Sequence, residues 1–267
     1  MAFTKRVASC VIGIVLLASP PFHVTAFAAE GSLVVGGAEE ARSVWAQAIR
    51  AKGGRERLHA IRTFVTSSSE KLADSPRPDV ITQQFIEELY VLPSRFWEYD
   101  DYRPGKMGDG GVAVDTNQHR VFNRPGEGSA QGLYEDLVYR SRNGQFLYLM
   151  ETAYVQPEPV GLTRGRLDGR DVDIVETRVN DDRVEFSLDR QSHLPAKIVI
   201  MERRLRLPRV WQLSDYHTVD GIEMPSNVHL GEEKAQSQTT YRFNVEYDEA
   251  VFHLESVRFE KNGWMKR

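Results

Sequence analysis

The chain has 267 residues, 34 Lys and Arg against 38 Asp and Glu, a net charge of −4 and one cysteine. A mildly acidic, mixed-sign surface lacks the basic patch that nucleic acid requires, and one cysteine excludes disulfide frameworks and thiolate metal clusters. The length is ample for a domain with its own core, and no low-complexity stretch marks a linker.

Residues 1–28 read as a secretory signal peptide. Lys5 and Arg6 give a charged start, and Val11 to Leu17 is an apolar run too short to span a bilayer. Ala26-Phe27-Ala28 fits the small-x-small cleavage pattern, so the mature chain is expected to begin near Ala29, in the periplasm. Val7-Ala8-Ser9-Cys10 imitates a lipoprotein cleavage box, but here the apolar run follows the cysteine instead of preceding it. Cys10 should therefore leave with the signal. No second long apolar run occurs, so the mature chain is expected to have no transmembrane segment, and 29–267 to form a single domain.

Next, Ala38 to Lys52 reads as a helix, because Ala41, Val44, Trp45, Ala48 and Ile49 recur at three- and four-residue steps. Gly53-Gly54 should end it. After a short turn from Arg55 to Ala60, strand-like segments follow at Thr63–Lys71, Val80–Val91 and Arg95–Tyr102, separated at Pro76, Pro78 and Pro93. In the second of these, Ile81, Phe85, Leu89 and Val91 share one face. The glycine-rich loop from Gly105 to Gly111 lacks a nucleotide-binding pattern. Val112 to Asp115 and Arg120 to Phe122 suggest another hairpin. The spacing of Leu133, Tyr134, Leu137, Val138, Phe146, Leu147 and Met150 then predicts helical segments over Ala130–Thr152, interrupted at Asn143-Gly144.

From Leu162 the period becomes two. Asp168-Gly169 and Asp220-Gly221 suit two-residue hairpin turns, since both residue types tolerate positive φ. Asn180-Asp181-Asp182 and the loop from Asp189 to Pro195 punctuate the chain in the same way. Val184, Phe186 and Leu188 alternate with Glu185 and Ser187. Tyr241, Phe243, Val245 and Tyr247 alternate with Arg242, Asn244, Glu246 and Asp248. Ile222, Met224, Val228 and Leu230 keep the same beat. This is an antiparallel meander with one apolar and one wet face. Helices in separate blocks, with strands grouped around them, predict α+β rather than alternating βαβ: a strongly curved antiparallel sheet with helices covering its concave face.

Several stretches resemble a known family: Trp45 to Ile61 (WAQAIRAKGGRERLHAI), Leu167 to Val175 (LDGRDVDIV), Phe186 to Asp189 (FSLD) with Leu194 to Ile198 (LPAKI), Ser214 to Pro225 (SDYHTVDGIEMP) and Asn244 to Phe252 (NVEYDEAVF). Together they are similar to bacterial envelope proteins related to the outer-membrane lipoprotein-sorting carriers. The resemblance implies an unclosed β-barrel, a half-barrel with helices as its lid, that binds acyl chains of lipoproteins non-covalently. It also implies an alternative, since a relative of the same fold senses misassembled envelope components.

Apolar ligands suit such a groove, because burial contributes about 0.8 kcal/mol per CH₂ group. The candidates for its lining are Phe85, Leu89, Trp97, Tyr99, Phe186, Trp211, Tyr241 and Phe243, and Leu137 and Phe146 are candidates for a lid. Each could equally form core between sheet and helices. Catalysis finds little footing. No histidine lies in HExxH and no serine in a GxSxG elbow. Asp215 and His217 are spaced to share a strand face, either as an acid–base pair or as a polar pair on the wet side. Asp168, Asp171 and Asp173 imitate a calcium loop but lack its closing glutamate. Glu98, Asp100 and Asp101 among Trp97, Tyr99 and Tyr102 suit either a sugar subsite or an exposed-edged strand. Arg203, Arg204, Arg206 and Arg209 form the densest basic run and suit a solvated strand end. The expectation is a non-enzymatic periplasmic protein, without metal or cofactor, whose partners are lipid or lipoprotein acyl chains. The alternative is an envelope-stress sensor with a self-filled groove and an envelope protein as partner.

Overall fold

A computed structural model describes residues 33–71, 83–103, 110–118, 120–123, 130–179, 182–202, 207–231, 237–253 and 258–266. The expected signal, Pro76, Pro78, Val80, Ile81, most of the 105–111 loop, Asn180, Asp181 and Arg203, Arg204 and Arg206 lie outside them.

The elements run β1 (Leu33–Gly36), α1 (Ala38–Lys52), α2 (Arg55–Ala60), β2 (Thr63–Lys71), β3 (Gln83–Val91), β4 (Arg95–Arg103), β5 (Gly110–Asp115), β6 (Arg120–Asn123) and α3 (Ala130–Leu149). There follow β7 (Glu158–Leu167), β8 (Arg170–Val179), β9 (Asp182–Asp189), β10 (Pro195–Glu202), β11 (Leu207–Val219), β12 (Ile222–Leu230), β13 (Ser237–Phe243) and a 3₁₀ turn (Glu249–Phe252). Every strand pairing is antiparallel, in a seven-stranded sheet ordered β1-β7-β8-β9-β10-β11-β12 and a six-stranded sheet ordered β13-β2-β3-β4-β5-β6. This is an α+β half-barrel, and its two sheets do not close on each other.

The meander turns take the predicted form. Asp168 and Gly169 have φ of 50° and 80°, and Asp220 and Gly221 have 50° and 78°, the left-handed pair a two-residue hairpin needs. Between β12 and β13 side chains stitch the sheets together. The Val228 N–H donates to Ser237 Oγ at 2.8 Å, the Ser237 N–H donates to Asn227 Oδ1 at 3.1 Å, and His229 Nδ1 lies 2.8 Å from Glu70 Oε1.

Helix α1 shows how strongly the first sheet curves. It packs on β7 and β8 and also on β12, which is five strand positions from β7. In a flat sheet that separation is about 24 Å, twice a helix diameter of about 10–12 Å. The sheet therefore wraps around the helix. Ala41, Trp45, Ala48 and Ile49 point into it, with Trp45 edge-on to Phe186 at 4.8 Å. The main core joins these residues to Leu162, Val175, Val184, Phe186, Ile198, Ile200 and Met224 of the sheet.

Three local expectations are corrected. Helix α3 runs unbroken through Asn143-Gly144, because Gly144 is where the helix touches the sheet rather than where it stops. Strand β13 ends at Phe243, and Asn244 at φ 49° interrupts the alternation, so Val245 and Tyr247 pack on the opposite face from Tyr241 and Phe243. Leu230, at the end of β12, is half exposed instead of continuing the apolar face.

Candidate functional site

Antiparallel registry decides which side chains meet under α3. Phe64 lies opposite Tyr90, Tyr90 opposite Phe96, Thr66 opposite Glu88, and Glu88 opposite Glu98. All face α3. Phe64 and Tyr90 stack at 4.2 Å with their planes 7° apart, and Tyr148 of α3 stands edge-on to both. Leu137, Phe146, Leu147, Tyr148 and Leu149 of the helix are buried in the main core.

The expected groove lining divides between the two faces. Phe186 and Tyr241 lie in the main core, with Trp211 and Phe243 partly buried against it. Leu89, Trp97 and Tyr99 belong to a separate cluster on the outer face of the six-stranded sheet, with Phe85 beside it. A groove role for those four is corrected. They sit one residue out of phase with Tyr90 and Phe96, and in a strand that reverses the face. What covers them is the chain's C-terminal segment, through Val251, Phe252, Phe259 and Trp264, with the Trp97 indole N–H donating to the Arg258 carbonyl at 3.0 Å.

In place of those four, the helix-bearing face presents acids. Glu98 is 2% exposed, Glu88 lies directly opposite it, and Asp100 is two residues further along β4. Thr66 Oγ1 donates to Glu88 Oε2 at 2.7 Å, and the Tyr148 hydroxyl reaches the same oxygen at 3.3 Å. Arg140 of α3 contacts Glu98 directly. Burial pushes the Glu98 carboxyl up to about 7, against the pull of Arg140. Burial also raises Glu88, helped by the Glu98 charge, and burial raises Asp100. Glu98 is thus neither part of a sugar subsite nor on an exposed edge. Strand β4 is internal, and Asp101, Trp97 and Tyr99 point to its other side.

Arg140 and Arg142 are two residues apart, about 200° around a helix, so they point to opposite sides. Arg140 reaches Glu98 in the six-stranded sheet and Arg142 reaches Asp182 in the seven-stranded sheet. Helix α3 is therefore tied to both sheets. Its end is fixed by buried Glu151, which accepts from Trp45 Nε1 at 3.3 Å and Arg55 Nε at 2.6 Å and lies 3.2 Å from His59 Nε2.

Gly144 explains how the helix approaches so closely. A Cβ there would stand 2.2 Å from the Tyr90 hydroxyl oxygen. Tyr90 is held between Phe64 and Phe96 and has little room to retreat. Gly144→Ala should therefore destabilise the protein by about 1–3 kcal/mol, despite alanine's helix advantage of about 1 kcal/mol. Urea unfolding checks this, and unchanged or higher stability would show that the ring yields.

The other chemical candidates separate. Asp215 sits at φ 57° where the β11–β12 pairing skips one residue pair without changing register, and it accepts from Ser214 Oγ at 3.1 Å. His217 Nδ1 instead pairs with Ser226 Oγ at 2.9 Å. Asp171 and Asp173 lie beside Arg166 and Arg164 on the hairpin. Arg209 stacks over Tyr139 at 5.6 Å. Among the described residues, no three His, Cys, Asp or Glu side chains are grouped to hold a metal ion, and no helix is long and apolar enough to cross a membrane.

No family model matches the sequence, and no curated protein matches it. Solved structures are similar in fold. A LolA-superfamily protein from Nitrosomonas europaea aligns at 12% identity and a TM-score of 0.48, over 80% of this chain and 98% of its own. A domain assigned to outer-membrane lipoprotein sorting from Vibrio parahaemolyticus aligns at 13% and 0.41, over 82% and 99%. A DUF1329-family protein from Desulfovibrio piger aligns at 11% and 0.41, also over 82% and 99%.

Proposed function

We propose that the chain is a non-catalytic periplasmic binding protein. It takes a lipid or lipoprotein acyl chain into the half-barrel when α3 is displaced. The supporting observation is the asymmetry of the two helices. Helix α1 is wrapped by the seven-stranded sheet through an apolar stripe. Helix α3 instead lies across the mouth with its C-terminal half buried and Tyr134, Val138, Tyr139 and Arg140 only partly covered, and it is held by the ion pairs of Arg140 and Arg142. Displacing it would uncover Phe64, Tyr90, Phe96 and Tyr241, an aromatic surface suited to an acyl chain. N-terminal sequencing of exported protein, expected to begin near Ala29, tests the address.

Leu137 and Phe146 of α3 are fully buried. Replacing either by Ala should lower stability by about 2–5 kcal/mol and tighten binding of a fluorescent fatty acid, because the closed state competes with the ligand. A second reading, an envelope sensor that binds protein on its surface, is favoured by the way the core side chains fill the concave face. It expects the same loss of stability with no acyl uptake by wild type or variant, and that result would overturn the carrier reading.

A further inference from the structure

We propose that α3 is a proton-linked latch: it closes over the six-stranded sheet by trapping protons among Glu88, Glu98 and Asp100, and opening it releases them. The inference deepens the reading of α3 as a movable lid and rests on it.

Charge balance carries the argument. Among the described residues, three carboxylates on one sheet face meet a single guanidinium, that of Arg140. Glu88 and Glu98 are cross-strand neighbours, and like charges directly opposite repel. Glu98 and Asp100 are two residues apart on β4, so their carboxyl groups share its face as well. Among the described residues, the other groups around the cluster are uncharged: the hydroxyls of Thr66 from β2, Tyr90 from β3, Tyr102 from β4, Tyr148 from α3 and Tyr241 from β13, with the Gln84 amide donating to Tyr102. Burial holds all four tyrosines above their ordinary value, so they stay neutral. Neutrality under the closed lid therefore needs the acids to share protons. Once α3 lifts, water solvates the carboxylates and they return toward their ordinary range.

The direction follows from linkage. Glu98 is held near 7 when covered, against an ordinary glutamate value of about 4.3. Acid therefore favours the closed lid, and closure weakens as pH rises toward 7. The opening constant should increase about tenfold per pH unit between roughly 5 and 7 for each proton released, then level off. The barrel would accept an acyl chain more readily at neutral than at acid pH.

Hydrogen exchange of the α3 backbone amides tests this on the ligand-free full-length mature chain, with observed rates divided by intrinsic rates at each pH. Wild type should show the rise, and Glu98→Gln should flatten it while remaining closed. A pH-independent wild type, or an undiminished slope in Glu98→Gln, would overturn the latch. Should that variant not fold, carboxyl-carbon NMR of wild type decides. A Glu98 resonance titrating near 7 supports the latch, and one titrating near 4 overturns it. A neutral fluorescent acyl ester separates the two proposals. Binding without pH-dependent opening removes the latch alone, whereas pH-dependent opening without binding removes the carrier reading alone.

Discussion

Lys52→Met is expected to stabilise the protein by about 1–4 kcal/mol at pH 7, the range for exchanging a buried charged group for an apolar one of similar volume. Lys52 ends the apolar stripe of α1 and is 1% exposed. Its ammonium donates to the Glu223 carbonyl and otherwise meets Met224 Sδ at 3.5 Å and the Tyr216 ring at 5.3 Å. Burial lowers its pKa to about 7, with only the Glu223 charge pulling the other way. The unfolded chain, with lysine near 10.4, therefore binds the proton more tightly than the folded one. Wild-type stability should fall as pH drops from about 10 toward 7 and lose nothing further from this group below that. Methionine fills the same slot with an unbranched chain and carries no charge to desolvate. Urea midpoints at pH 7 and pH 9.5 check both statements, because the advantage of the variant should shrink by up to about 3 kcal/mol at the higher pH. A variant less stable than wild type at pH 7 would mean that the bond to the Glu223 carbonyl outweighs the desolvation.

Much of the half-barrel was legible because its turns are chemically distinctive. Asp168-Gly169 and Asp220-Gly221 take the left-handed pair that their residue types allow, and the spacing in Ala38–Lys52 yields the helix over those same residues. The inward set was harder to read, because the six-stranded sheet is covered on both sides. An alternation rule presumes one wet face, whereas here Phe85, Leu89, Trp97 and Tyr99 lie under the C-terminal segment while Phe64, Tyr90 and Phe96 lie under α3. Glu98 suited an exposed-edged strand for the same reason, and Glu88 drew no reading. A signal was nevertheless present: both share strand parity with Tyr90 and Phe96, and Lys52 falls three residues after Ile49 on the buried stripe of α1. The partner of Glu98 was beyond reach, since Arg140 is 42 residues away and only the crossing of α3 over β4 brings the two together.

Arg140→Met should cost about 2–3 kcal/mol at pH 8. Removing one partner of a fully buried pair typically costs 3–5 kcal/mol, and a discount applies because the Arg140 side chain is 34% exposed. Methionine preserves the packing of the side-chain stem near Phe96, so what is lost is the charge that offsets Glu88, Glu98 and Asp100. Without it, their folded pKa values should rise further above the unfolded ones. The penalty is therefore largest when the carboxyl groups are forced to ionise, and it fades as pH falls and they take up protons. At pH 5 the variant should approach wild type. Adding Glu98→Gln removes one of the uncompensated charges, so the double variant should recover at least half of the loss at pH 8. That makes the two substitutions non-additive, as expected for groups in direct contact. Urea unfolding of wild type, both single variants and the double variant at pH 5 and 8 gives the full cycle. An equal loss at both pH values, or strictly additive effects, would show that Arg140 holds α3 through packing alone.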